Sequence, residues 1–483
     1  MFTTEEIITA TKARVVGPKK SLSFKGVSQN SKTIHSGEVF IAIVGQRLDG
    51  HQFLGDVFAR GVQAALVQKG HYAPKEFPEA TFFEVSDTLT ALGHLAHFHR
   101  QRFKIPVVGI TGSNGKTTTK DLMAHLLKTK MNVLKTEGNF NNLIGLPFTL
   151  FRLNSTHEIA LLEMGMSSPF EIQRLSEIAR PTAGLITNIG KAHLATMKSM
   201  GNIAKAKGAL LHSLSSKDIA FVNQDDPYLH PFCKKIKARV RTYSLKSKAD
   251  VRGTLVEDLG LQGCIMKCEW DTPIGTRARK EVIKFHLPLN GSHHAQNALA
   301  AISVASYFGV YTQKIKSALE SFTPTEGRSH ILYLSYGIIV IDDSYNANPD
   351  SMAAGLRMLK NISKNKKTYA VLGDMLELGS KEKQYHSEIG RIIKKIGIDN
   401  VLTFGSLSQY IVKEVDKNKK IRTFWTLNQD DLISQLKQDL KLSPGVILVK
   451  GSHSMKMEKV IEALKATFGA GSLTPRVPME EKT

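Results

Sequence analysis

Short, continuous apolar runs alternate with amphipathic stretches along most of the chain. Residues 105–110 (IPVVGI), 159–165 (IALLEMG) and the start of 183–194 (AGLITNIGKAHL) have the unbroken hydrophobicity of strands buried on both faces. Residues 39–45 (VFIAIVG) and 62–68 (VQAALVQ) read as strands of an earlier, smaller unit. Residues 201–214 and the Ala-rich 291–309 read as helices. Four further strands are predicted at 337–344, 368–374, 400–405 and 445–452, separated by helical spacers, an alternation that predicts a mainly parallel sheet. A chain of 483 residues is too long for one core, so two to four domains are expected. The pattern divides it into an α/β unit over 1–100, a segment over 101–320 and an alternating segment over 321–470, with 471–483 read as a disordered tail.

The strand at 105–110 breaks into Gly112, Ser113, Asn114 and Gly115 before a helix begins with Lys116, Thr117 and Thr118. Glycines let backbone N–H groups turn inward, and a helix start behind them adds unpaired donors and partial positive charge, which suits phosphate oxygens. Lys116 supplies a full charge, and the Thr117 hydroxyl is a ligand for a bridging Mg²⁺. The strict GxxxxGK[ST] pattern is not met, because Ile110 stands at its first glycine. A simple glycine turn is the competing reading.

Other polar residues sit at strand ends. Asn139, Asn141 and Asn142 fill a loop flanked by Gly and Pro that suits a sugar or peptide. Glu163 and His193 follow apolar strands and could form a metal shell, or be satisfied structural groups. Arg47, Asp49, Gly50 and His51 lie beyond the carboxyl end of a strand, where open α/β sheets bind ligands, although an ordinary surface loop explains them equally. His94, His97 and His99 share a predicted helix without a further ligand nearby and are read as packed or solvated. Asp342 and Asp343 imitate the magnesium carboxylate of a nucleic-acid-dependent NTPase, and Asp350 reads as a helix cap.

Charge changes the picture little. Lys plus Arg number 65 against 43 Asp plus Glu, a net +22 that admits nucleic acid, membrane surfaces or polyanionic small molecules as partners. The clusters at 234–241, 364–367 and 417–422 are scattered and lack interleaved aromatics, so they read as solvated faces and no nucleic-acid partner is expected. Three cysteines without ligand spacing, no export-signal pattern at the start and no apolar run of membrane-spanning length point to a cytoplasmic protein without membrane insertion. A monomer is the default.

Taken in order, TGSNGKTTT, GNFNNLIGLP, EMG, TNIGKAHL, AKAKG, NALAA, GRSH, DDSYNANP, VLGDMLELG with His386, and VKGSHSMKME resemble the motifs of the Mur ligases over nearly the whole chain. The resemblance implies an α/β protein of three domains: an N-terminal UDP-binding domain, a central P-loop ATPase domain with a mainly parallel sheet, and a Rossmann-like C-terminal domain. It implies an ATP-dependent ligase joining D-alanyl-D-alanine to UDP-N-acetylmuramoyl-tripeptide through an acyl phosphate. By the family pattern, Gly112 to Thr118, Asn297, Arg328 and Asp343 bind ATP, and Thr117, Glu163, His193 and Lys207 bind Mg²⁺. Lys116, Glu163, His193 and Lys207 are the implied catalytic set, with Lys207 at the position that is carbamylated in several members. The UDP-substrate is assigned to Ser28, Ser31, Lys32, Arg47, Asp49, Gly50, His51, Asn139, Asn141 and Asn142, and the dipeptide to Asn346, Asn348 and His453. Asn30-Ser31-Lys32 departs from the usual Asp-Ser-Arg, and His453 from the usual arginine. Another Mur-type or folylpolyglutamate-type ligase, a nucleic-acid-dependent NTPase and a catalytically silent UDP-sugar-binding module are the alternatives.

Overall fold

A computed structural model describes residues 1–18, 21–45, 47–274, 277–469 and 471. The expected tail, apart from Gly471, lies outside the described residues. Three main sheets follow one another along the chain. The first has five strands in the spatial order Arg14–Val16, Thr81–Val85, Ala64–Gln68, Glu38–Ile41 and Gly26–Ser28, parallel except for the first pair. The second has nine strands, of which seven are parallel with Val107–Thr111 among the central ones. It ends in an antiparallel extension built from Val251–Asp258 and the long strands Cys264–Ile274 and Arg277–Leu287, which the apolar pattern did not reveal. The third has six strands, with His330–Tyr333 antiparallel to Ile339–Asp342 and the rest parallel.

The predicted strands are present, trimmed at their polar ends. The run 39–45 pairs only over Glu38–Ile41, because the chain then turns so that the Gly50 amide reaches the Ile43 carbonyl. The run 159–165 ends as a strand at Glu163, and 183–194 supplies Ala183–Ile186. Parallel strands gain stability from cover on both faces, and the central strand Val107–Thr111 is buried at every position.

The helix Thr88–Gln101 joins the first two sheets. His97 Nδ1 bonds the Ile178 carbonyl at 3.1 Å, His99 Nε2 bonds the Leu153 carbonyl at 2.9 Å, and Arg100 Nε donates to the Ala179 carbonyl at 3.1 Å. These histidines are packing groups of the junction. One apolar cluster runs continuously from Phe2, Phe24 and Phe83 through Leu92 and Leu95 to Phe151 and Leu162. The third unit has its own core on the two faces of its sheet.

Candidate active site

The phosphate loop is held in shape by its neighbours. Gly112 has φ 151° and Gly115 has φ 78°, and a Cβ on them would lie 1.9 Å from Thr187 Oγ1 and 2.4 Å from Asn297 Oδ1. Both positions therefore demand glycine. Asn188 exchanges two 3.0 Å hydrogen bonds with the backbone of Asn114, its carbonyl accepts from the Ser113 amide at 2.9 Å, and Thr187 Oγ1 donates to the Asn114 carbonyl. The Ser113 and Asn114 amides are thus occupied, so the loop presents an anion with the first turn of the helix Lys116–Leu127 and with Lys116. Lys116 Nζ donates to the Gly112 carbonyl at 2.7 Å. Burial, with Arg328 adding to it and Glu163 opposing, lowers its pKa.

Glu163 ends its strand at 2% exposure. Asn141 Nδ2 donates to its Oε1 at 2.9 Å, whereas Oε2 is buried without a hydrogen-bond partner and lies 3.8 Å from Lys120 Nζ. A buried carboxylate oxygen that accepts no hydrogen bond is costly. Such an oxygen fits a hard divalent cation, and the Thr117 hydroxyl lines the same cavity. Lys207 is buried without a hydrogen bond or ion pair among the described residues, and burial, reinforced by Lys116, holds its pKa well below the ordinary value. Asn142 caps the chain locally, its Oδ1 accepting from the Ile144 and Gly145 amides.

The third unit closes over this surface. Asn348 Nδ2 donates to Asn114 Oδ1 at 2.7 Å, and Asp350 Oδ2 accepts from the Lys191 amide at 2.7 Å. His193 Nδ1 is 2.6 Å from Glu377 Oε2, a contact that lowers the Glu377 pKa. Buried His386 fixes the loop that carries Glu377, its Nε2 accepting from the Met375 amide and its Nδ1 bonding the Glu382 carbonyl. Lys450 Nζ reaches Asp343 Oδ2 at 2.5 Å and the Asn346 carbonyl at 2.9 Å. Arg328 stacks its guanidinium 3.7 Å from the Tyr345 ring centroid and donates to Thr117 Oγ1 at 3.3 Å. Two carboxylates read otherwise in sequence. Asp350 is not the helix cap, since Asn348 accepts from the Ser351 amide in that role. Asp342 is consumed by the Gly327 amide and by Ser344.

A cavity of about 650 Å³ lies between the two units. It brings together Ser113 to Thr118, Asn139, Asn141, Asn142, Glu163, His193, Asn297, Arg328, Asp343, Asn346, Asn348 and His453. His294, Tyr345 and Lys450 also line it and escaped the sequence reading. His294 carries no carboxylate or glycine signature, and its two ring nitrogens are buried without partners.

The first unit's assigned residues stand apart from this cavity. Ser28 Oγ accepts from the Asn30 amide, and Asn30 Oδ1 accepts from the Lys32 amide, in a turn that also holds Ser31. Arg47 is exposed. Asp49 bonds the Nδ1 atoms of His51 and His71 at 2.6 and 2.9 Å, and His51 Nε2 accepts from the Gln68 amide. Burial pushes the Asp49 carboxyl up, but the bonds from His71 and His51 outweigh it and hold it at about 2. Asp49 and His51 thereby fix the loop on which Arg47 and Gly50 lie.

A phosphate loop on a parallel sheet, a buried carboxylate at a strand end and a third unit closing on both define an enzyme of the phosphate-loop nucleotide-binding class. Residues 110–305 match the model of the Mur ligase middle domain, and residues 327–453 that of the Mur ligase glutamate ligase domain. The chain is 35% identical to the UDP-N-acetylmuramoyl-tripeptide–D-alanyl-D-alanine ligase of Bacillus subtilis, over 96% of this chain and 98% of that protein. It is 32% identical to the enzyme of the same name from Escherichia coli, over 92% and 94%. The crystal structure of MurF from Acinetobacter baumannii superposes with TM-score 0.86 at 28% identity, covering 96% of this chain and 99% of that one. MurF from Thermotoga maritima in complex with ADP superposes with TM-score 0.78 at 27% identity, over 91% and 97%. The chain belongs to the Mur ligase family.

Proposed function

We propose that this protein is the ATP-dependent ligase that joins D-alanyl-D-alanine to UDP-N-acetylmuramoyl-tripeptide in peptidoglycan precursor synthesis. The observation that carries the reading is the meeting, in one cavity, of the Lys116 loop, Glu163 and the Lys450–Asp343 pair of the third unit. Near-full-length likeness to ligases of that name supports the choice of substrates.

The tripeptide carboxylate and the γ-phosphate repel one another, so their approach needs positive charge around the transferring group. Lys116 and the amides of the first helical turn supply it here, with Arg328 beside Thr117. Glu163 and Thr117, with His193, would hold Mg²⁺, which when bound neutralises phosphate charge. A carboxylate oxygen attacks the γ-phosphorus and ADP leaves, giving an acyl phosphate. The dipeptide amine then attacks the acyl carbon, phosphate leaves, and the amide forms once the amine has lost its proton. The contacts Asn348–Asn114, Asp350–Lys191 and His193–Glu377 bring the third unit over the site, where exclusion of water protects the acyl phosphate.

The finer assignments belong to the same proposal. The UDP-substrate is given to Ser28, Ser31, Lys32, Arg47, Asp49, Gly50 and His51 of the first unit with Asn139, Asn141 and Asn142, and the dipeptide to Asn346, Asn348 and His453. The units are taken as 1–100, 101–320 and 321–470, and the enzyme as a cytoplasmic monomer. Among the described residues no helix is long and apolar enough to cross a membrane. Lys207 is proposed to be carbamylated, because burial and the neighbouring Lys116 favour its neutral amine, the form that takes up CO₂.

The test is phosphate release with ATP, Mg²⁺, bicarbonate and UDP-N-acetylmuramoyl-tripeptide, with and without D-alanyl-D-alanine, followed by mass spectrometry. Dipeptide-dependent release with a UDP-pentapeptide product is the expected result. Release that ignores the dipeptide, or that responds instead to DNA or RNA, would overturn the assignment.

A further inference from the structure

Two of the three basic clusters, 364–367 and 417–422, separated in sequence, meet on one face of the third unit. Its strands Lys367–Gly373, Asn400–Phe404, Arg422–Thr426 and Gly445–Lys450 are parallel, so their starts lie side by side, with Lys367 opposite Gly445 and Asn400 opposite Arg422. Segments 364–367, 394–395, 417–422 and residue 441 precede or flank these starts and carry ten cations, nine of them lysine. Of the carboxylates among them, Asp399, Glu414 and Asp439 are paired with Lys367, with Lys394 and Lys417, and with Arg422, while Asp416 accepts from the Thr423 hydroxyl, so the cations remain in clear excess. Lys395, Lys419, Lys420 and Lys441 are exposed and have no carboxylate partner among the described residues. Beside them Leu442, at the end of the helix Gln429–Leu442, is 82% exposed.

The nucleotide cavity lies at the opposite, carboxyl edge of the same sheet, where Asp343 and Lys450 follow or end their strands. A partner seated on the amino edge would leave the catalytic cleft open.

We propose that this lysine-rich edge docks the protein peripherally on an anionic lipid surface, with Leu442 entering the headgroup region. Three features favour a bilayer over nucleic acid. Lysines are point charges without the bidentate fork that reads phosphates one by one. The basic segments 364–367 and 417–422 contain no aromatic side chain on which a base could stack. An exposed leucine among lysines gains from the apolar boundary beneath lipid headgroups and gains nothing from a sugar–phosphate backbone.

The experiment is flotation of the purified full-length protein with phosphatidylcholine vesicles, with and without phosphatidylglycerol, at low and high salt, using duplex DNA as competitor. The protein should float only with phosphatidylglycerol vesicles and be released by high salt. The double variant K419E/K420E should bind them at least tenfold more weakly, and L442S should weaken binding at low salt. Both variants should melt at the wild-type temperature and retain wild-type phosphate release, since none of the three residues touches the cleft. Failure to float with anionic vesicles, or K419E/K420E floating like wild type, would overturn the proposal. So would DNA displacing the vesicles through the same lysines.

Discussion

Asn141 donates its side-chain amide to one oxygen of Glu163 at 2.9 Å and leaves the other oxygen, fully buried, with no hydrogen-bond partner. The amide fixes the carboxylate's rotation, while the second oxygen lies 3.8 Å from Lys120 Nζ. Glu163→Gln keeps the shape and removes the charge. Dipeptide-dependent turnover should fall about 10²- to 10³-fold, the magnitude usual for a group that stabilises developing charge. The melting temperature should fall, because the buried Lys120 ammonium loses one of its carboxylate partners. Steady-state assays and a thermal melt measure both.

The glycine at 115 can be tested by one methyl group. Gly115→Ala places a Cβ 2.4 Å from Asn297 Oδ1 at a backbone φ of 78°. Either the loop or Asn297 must move, at about 1–3 kcal/mol for the strained backbone. ATP affinity measured by calorimetry should drop at least tenfold, whereas Gly70→Ala, at φ 82° but with no neighbour within 4 Å, should leave it unchanged.

His193 and Glu377 join the central and third units. Glu377→Ala removes the partner that holds His193 Nδ1. The Glu377 side chain is 60% exposed, so the loss should be modest, about three- to tenfold in kcat. ATP binding in the absence of the other substrates should be unaltered. A larger effect on ATP affinity than on kcat would contradict a closure role for this pair.

Buried neutral histidines set an acid limit. Burial depresses His293 to about 4 and also lowers His51, His99 and His386. In the unfolded chain these rings titrate near 6.5, so between about 4 and 6.5 the unfolded state binds more protons. Stability is therefore complete above pH 6.5 and falls as pH drops towards 4. Thermal melts across that range should show the slope, and His293→Gln should reduce it.

Much of this architecture was legible because parallel strands buried on both faces are unbroken apolar runs. The loop at Gly112–Thr117 was legible because glycines, lysine and hydroxyl must be adjacent in sequence to act together. The strands Cys264–Ile274 and Arg277–Leu287 were not, since a sheet extension with an exposed face mixes charges such as Lys267 and Lys284 among its apolar residues. The pair Lys450–Asp343 spans 107 residues, and His193–Glu377 spans 184. Partners so distant are chosen by the tertiary fold and leave no local pattern. Asp350 shows the converse, since its position invited a cap while the third unit's approach to Lys191 gave its carboxylate another use.

That last bond has an asymmetry. Asp350 holds the backbone amide of residue 191, while the lysine side chain there turns to Tyr385 and Glu388. A main-chain donor survives every substitution at its own position except proline. Sequence drift at 191 can therefore retune the surface around the cleft without undoing this tether, whereas drift at 350 removes it in one step. Variants that loosen the enzyme's grip on its closed form will arise more readily on the third unit's side of the seam.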